Sequence, residues 1–309
     1  MSVTQINPLR VGIAPISWVN DDIPGLGDDL YTQDKVLSEM ATIGYVSTEM
    51  GRIFSSDIPA FKNKLKEYNI QLASKFVGVI FSDPERLEQE LQSFAKWAKF
   101  LHEMGSKYVI TCEMGGSMHW DPRRPEKDNS IQKLNDAEWK SLVQGLHQAG
   151  EICGTYGQTL VFHPHAGTVV ETKEEVDRLM SSTDPSLVHL LYDTGHAYYG
   201  GYDPLEQLRI YWDRIPYVHL KDVRQKVLDW VQRENIDFRS AVVNGLFTVP
   251  GDPEGCIDFL PIFRELLGRG YDGWVVVEAE QDPRVANPYR YAKMAKDYID
   301  SAVMTVQTS

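Results

Sequence analysis

Short runs rich in β-branched and aromatic residues alternate with longer stretches of helical periodicity from one end of the chain to the other. Eight strands are read, over 11–17, 45–50, 71–77, 107–113, 158–163, 187–193, 215–221 and 273–279, each followed by a helical pattern. In 84–104, Leu87, Leu91, Phe94, Trp97 or Ala98, and Leu101 fall on one face with charges elsewhere, the stripe of a helix lying on a sheet. Asp83 before Pro84 reads as its start, and Asp57, Asp184 and Asp203, each with a nearby proline, read as similar starts.

Strands that each re-enter after a helix pair in parallel through right-handed crossovers. At this length the economical closure is an α/β fold of TIM-barrel type, a (β/α)8 barrel, formed as a single domain over 1–309. A doubly wound open sheet is the runner-up, disfavoured because no strand runs into a GxGxxG turn, and no nucleotide cofactor is expected. Three loops after strands are long: 18–31, 114–133 and 222–258, the last with a helix of its own in KVLDWVQREN. Loops of this length at the catalytic end of a barrel read as lids or binding elements.

Side chains alternate faces along a strand, so inward positions share parity. His163 and His165 go with Val161, Asp193 with Leu191, His219 and Lys221 with Tyr217, and Glu278 and Glu280 with Val276. Glu49, Lys75 and Glu113 also stand near the late ends of their strands. Charges inside a barrel are costly unless paired or bound to metal, so this rim reads as a polar site at the C-terminal mouth. His163 or His165, with Asp193, His219 and Glu278, would suit one divalent ion such as manganese, cobalt, zinc or magnesium. His196, in YDTGH, falls on the turn after strand six, within reach of a substrate hydroxyl. Tyr198, Tyr199 and Tyr202 read either as lining for a sugar-like ring or as packing.

Composition narrows the partners. The chain has 309 residues, 42% apolar and 24% charged, and its 31 Lys and Arg against 44 Asp and Glu leave a net charge of -13. That charge repels phosphate backbones and anionic lipid, so neither nucleic acid nor a membrane is expected as partner. No apolar run is long enough to span a bilayer, and three scattered cysteines suggest no disulfide framework, so the expected location is the cytoplasm. A homo-oligomer is the base-rate expectation.

The strand order together with HPHAGT, YDTGHA, VHLKDVR, GDPEGCIDF and VVVEAE resembles the xylose-isomerase-like barrels of sugar isomerases, epimerases and inositol-catabolic enzymes. The opening GIAPISWVNDDIPGLGDD and TEMG at 48–51 resemble specifically the myo-inosose-2 dehydratases of bacterial myo-inositol breakdown. The resemblance implies one divalent metal, manganese or cobalt foremost, held by four side chains from strands five to eight. Asp193, His219 and Glu278 match the last three. His163 stands where the family has a carboxylate, and Glu171 in the following loop is the outlying alternative.

The implied reaction takes water from 2-keto-myo-inositol, a polyol ketone, to give a trihydroxycyclohexanedione through a metal-stabilised enediolate and β-elimination. Glu49, Glu113, His165 and His196 are the acid and base candidates, with roles left open. Lys75 neutralises charge or orients a hydroxyl, and Lys221, Arg224 and Glu280 are expected to contact substrate. The rivals are a metal-dependent ketose or inosose isomerase or epimerase, a polyol-binding module without chemistry and, more remotely, a barrel endonuclease on abasic DNA.

Overall fold

The first strand of the barrel pairs with the last. In a computed structural model, which describes residues 8–23, 25–117 and 132–308, the strands are β1 (Arg10–Ile13), β2 (Ser47–Met50), β3 (Gln71–Val79), β4 (Tyr108–Glu113), β5 (Thr159–Phe162), β6 (Val188–Asp193), β7 (Tyr217–Leu220), β8 (Asp222–Val223), β9 (Phe247–Thr248) and β10 (Trp274–Val277). Eight of them close in the order β1-β10-β7-β6-β5-β4-β3-β2. All pairs around the ring are parallel, with Arg10 against Trp274 at the seam. This is the (β/α)8 closure expected from the alternation, and it excludes the open sheet.

Two apolar layers hold the ring. Inside it, Ala73, Ile110, Val161, Leu191, Tyr217 and Val276 pack together. Outside, the opposite parity of the same strands, such as Val109, Leu160, Leu190, Val218 and Val275, packs against the helices. Each large side chain fully buried this way contributes about 1.5–3 kcal/mol relative to leaving it in water. In the helix Leu87–Met104 the buried face is Phe94, Ala98, Leu101 and Met104, so Ala98 rather than Trp97 meets the sheet.

Local signals succeed where side chain and backbone agree. Asp57 and Asp203 cap the helices Ile58–Glu67 and Pro204–Ile210, accepting from Ala60 N and Glu206 N at 2.8 Å each. Asp83 and Asp184 start no helix: they accept from Glu85 N and Ser186 N in tight turns. The first strand ends at Ile13 rather than 17, because Pro15 opens the 3-10 turn Pro15–Ser17 and offers the ladder no N–H.

The segment after β7 carries its own small core. Helices Gln225–Glu234 and Phe238–Val243 and the antiparallel pair β8-β9 enclose Leu228, Val231, Phe238, Val242 and Phe247. The expected helix in KVLDWVQREN is thus present. Of the expected loop 114–133, positions 118–131 lie outside the described residues.

Candidate active site

The expected inward side chains converge at the C-terminal mouth. Strand pairing runs slightly past the assigned ends, since His163 N donates to Thr111 O at 2.8 Å and Glu278 N to Leu220 O at 3.2 Å. Parity therefore persists to the residues that matter. His219 Nδ1 lies 2.7 Å from Glu278 Oε2 and 3.5 Å from Asp193 Oδ2, and His163 Nε2 lies 3.5 Å from the same Asp193 oxygen. His163, Asp193, His196 and Glu278 each bring one ligand atom into a group spanning no more than 4.8 Å. His196 thus stands in that group, and His219, expected as a ligand, lies beside it through its Nδ1 contacts to Glu278 and Asp193.

Both ring nitrogens of His163, Asp193 Oδ2, His219 Nδ1 and Glu278 Oε2 are buried without a well-directed hydrogen bond. Such atoms normally have partners. Burial lowers the His163 pKa to about 4, so its imidazole is neutral with a lone pair to offer at pH 7. Glu49 and Glu278 outweigh burial and hold a proton on His219, one that a divalent ion would displace on binding. Imidazole nitrogens and hard carboxylates brought this close together fit such an ion.

Lys221 lies beside this cluster, fully buried, with Nζ 2.6 Å from Glu280, 3.1 Å from Glu278 and 3.6 Å from Asp193. Burial disfavours its charge, but the three carboxylates outweigh that and raise its pKa. The same lysine holds Asp193, Glu278 and Glu280 below the ordinary carboxylate range against the opposing effect of burial. Lys221 Nζ also contacts His196 Nε2 at 2.8 Å. Burial, then His165 and Lys221, keep His196 neutral, with a pKa of about 3. The YDTGH turn needs its glycine here, because a Cβ on Gly195 would lie 2.5 Å from Lys221 Cγ.

His165 packs on His196 with ring centroids 3.9 Å apart and the planes tilted by 37°. Its Nδ1 donates to Ala166 O at 2.9 Å, and its Nε2 stands 3.6 Å from Glu280 Oε1. Burial works against the imidazolium, yet Glu280 and Asp22 outweigh it and raise the His165 pKa above 6.5. On β2, Glu49 Oε1 accepts from Tyr217 Oη at 2.7 Å and contacts His219 Nε2 at 2.8 Å. A register shift between Thr48 and Glu49 against β3 sets this position. Burial lowers the Lys75 pKa, while Asp21 and Glu49 pull the other way; its Nζ stands 4.6 Å above the Trp97 ring.

A cavity of about 660 Å³ opens onto this cluster, lined by Glu49, Lys75, His165, His219 and Glu278, with Asp22 from the loop after β1. Lys221 and Glu280 pair with each other behind that wall rather than lining it. Three expected site residues stand elsewhere. Glu113 shares parity with Val109 of the outer layer, and its two oxygens take four donors: Phe81 N, Ser82 N, Ser82 Oγ and Gly115 N, at 2.8, 3.2, 2.9 and 2.9 Å. These four bonds tie the loops after β3 and β4 together. Arg224 spends its guanidinium on Gly245 O, Thr248 Oγ1 and Asp252 Oδ2, tying the β7 segment together. Glu171 accepts from Gly167 N, closing its own loop, and stands outside the groups of converging ligand atoms among the described residues.

Asp22 and Tyr217 were not among the expected site residues. Asn20 Oδ1 accepts from Asp22 N and Ile23 N, folding the loop so that Asp22 is buried near His165, and burial raises the Asp22 pKa to about 7. The NDD run in a long loop after strand one was its only signal. Tyr217 reads from sequence as interior packing. Of the three tyrosines weighed as ring lining, none borders the cavity; Tyr202 Oη donates to Asp177 at 2.9 Å and Tyr199 packs on Phe247.

Comparison with known proteins agrees with this architecture. A family model described as xylose isomerase-like TIM barrel matches residues 37–301. The chain is 67% identical to an inosose dehydratase of Geobacillus kaustophilus over 96% of each chain. It is 44% identical to an inosose dehydratase of Bacillus licheniformis, again over 96% of each. Among solved structures, a sugar phosphate isomerase/epimerase from Parabacteroides distasonis superposes with a TM-score of 0.67 at 17% identity, covering 97% of this chain and 96% of that one. A probable 3-DHS dehydratase from Bacillus anthracis, involved in petrobactin synthesis, superposes with a TM-score of 0.67 at 15% identity, covering 97% and 99%.

Proposed function

Because this chain belongs to the inosose dehydratases, within the xylose isomerase-like TIM barrels, we propose that it removes water from 2-keto-myo-inositol to give the trihydroxycyclohexanedione. The observation that carries the reading is the arrangement around the cavity: Glu49 on β2 and His165 beyond β5 both line it, and the buried donors from β5, β6, β7 and β10 stand along the arc of the mouth that joins them.

His163, Asp193, His219 and Glu278 would hold a divalent ion, manganese or cobalt foremost. When bound, the ion supplies positive charge that lowers the cost of taking a proton from the carbon beside a ketone. Asp193 and Glu278 each lie within 3.6 Å of both Lys221 and His219, and a divalent cation would take over the positive charge that the His219 proton now supplies to them.

The remaining work falls to the chain's own side chains. Glu49 takes the carbon-bound proton through Oε2, the oxygen not engaged by Tyr217 and His219. His165 has a pKa raised by its acidic neighbours and so holds a proton near neutrality, which it gives to the departing β-hydroxyl so that water rather than hydroxide leaves. His165 ends neutral and Glu49 protonated, and exchange with solvent restores both. Lys75 shares parity with Val77 and Val79 of the outer layer, yet it lines the cavity with Glu49 and orients a ring hydroxyl at its edge. His196 keeps His165 in place by packing against its ring. Cys112 and Cys153 are buried thiols and Cys256 an exposed one, which supports a reducing compartment and the cytoplasm as the place of action.

The test is turnover of scyllo-inosose by the purified protein, followed by ultraviolet absorbance and mass spectrometry, after chelation and again with added Mn²⁺ or Co²⁺. Loss of one water, abolished by chelation and restored by the ion, is the expected result. A product of unchanged mass would assign the chain to isomerisation or epimerisation instead, and water loss indifferent to chelation would remove the ion from the reading.

A further inference from the structure

Tyr217 sits at the centre of the ring, fully buried, with its aromatic ring edge-on to Tyr108 at a centroid distance of 5.4 Å. A phenol there is unusual company for Val161, Leu191 and Val276, because its hydroxyl needs a partner that an apolar core lacks. Phenylalanine would fill the same space without that demand. The partner is Glu49: Tyr217 Oη donates to Oε1 at 2.7 Å, and His219 Nε2 reaches the same oxygen at 2.8 Å.

Two donors on one carboxylate oxygen define the plane and rotation of the group. Among the described residues, no hydrogen bond is made to Glu49 Oε2, while Glu49 as a residue lines the cavity. We propose that Tyr217 is a positioning residue: through its hydrogen bond to Oε1, from below the reaction cavity, it holds Glu49 with Oε2 turned to the substrate carbon. The inference rests on the assignment of Glu49 as the proton acceptor. His219 alone would leave the carboxylate free to swing about that one contact, so the two donors have separate effects.

Tyr217 touches no substrate, so its removal acts on the rate of proton transfer and not on binding. The experiment is a double-mutant cycle of Tyr217→Phe and Glu49→Gln, with kcat, KM, bound manganese and melting temperature measured for each protein on scyllo-inosose. In the Glu49-containing background Tyr217→Phe is expected to lower kcat by roughly 10–100-fold, the range found when an orienting hydrogen bond is lost. KM is expected to stay within about twofold and manganese content to match the wild type. In the Glu49→Gln background the same change is expected to have little further effect, because its route to the reaction is already gone.

A merely structural tyrosine would lower activity by the same factor in both backgrounds, and that result would overturn the proposal. So would an unchanged kcat in Tyr217→Phe, or a loss explained by lost manganese. If the wild type itself fails to dehydrate scyllo-inosose, the functional reading fails first. If the wild type is active and Glu49→Gln is as active, the acceptor assignment fails and this inference with it.

Discussion

Glu113 shows how fully a buried carboxylate can be taken up by the donors of neighbouring loops. Burial raises its pKa to about 7, and the Ser82 hydroxyl and three backbone N–H groups pull the other way. Because both oxygens accept, the Glu113→Gln variant places an amide N–H₂ against donors at one of them. It is expected to lose about 2–4 kcal/mol of stability. Denaturant unfolding would measure this, and kcat/KM of the folded fraction should change little; a collapse of kcat with unaltered stability would return Glu113 to the catalytic list. Its misplacement from sequence has a simple physical origin. It ends a strand as Asp193 does, but it shares parity with Val109 and Thr111 on the outer face, whereas Asp193 shares parity with Leu191 inside. The parity rule that correctly placed His163, His219, Glu278 and Glu280 was available for β4 and points outward. Tyr217 was hidden for the opposite reason: its parity is right, yet a lone aromatic among apolar neighbours carries no sign of what its hydroxyl meets.

The elements of the barrel were legible because periodicity reports burial, and burial is what eight parallel strands share. Their ends were less so, since one proline decides where β1 stops and a single ladder bond carries β5 and β10 past their assigned limits. The segment after β7 was legible as long and partly helical, but its attachment was not. Phe247 packs 5.0 Å from the His196 ring and Phe238 5.5 Å from the His165 ring, so this small core is the apolar roof that keeps water from the two imidazoles. Arg224 pins it: Nη2 lies 2.6 Å from Asp252, both side chains largely buried. Replacing Arg224 with Met leaves Asp252 without its countercharge and is expected to weaken the segment by roughly 3 kcal/mol. Hydrogen exchange should then quicken over residues 225–248 and not in the barrel strands. Uniform acceleration across the whole chain would mean that the segment has no independent stability to lose.

For the molecule as a whole, the buried carboxylates make stability depend on both ion and pH. At an ion concentration about a hundredfold above its dissociation constant, binding to the folded state alone adds ~2.7 kcal/mol. Thermal melting against Mn²⁺ should show the midpoint rising with concentration; a midpoint indifferent to Mn²⁺, Co²⁺, Zn²⁺ and Mg²⁺ would speak against the site. In the chelated protein, Asp193, Glu278 and Glu280 have folded pKa values below their ordinary ones, because Lys221 outweighs the burial that would raise them. Their contribution is therefore present above the unfolded values of 3.8 and 4.5 and is lost as the pH falls through the folded values, about 2 for Glu278. Melting of the chelated Lys221→Met variant should show that acid dependence shifted to higher pH. Finally, the seam at which β1 meets β10 sets an order of events during synthesis. The ribosome delivers β1 first and β10 last, and Glu278 emerges later still, so the nascent chain holds an open sheet edge and an incomplete ion site until the final strand arrives. A chain cut short before β10 therefore lacks both the closing strand of the barrel and the last member of the acid cluster.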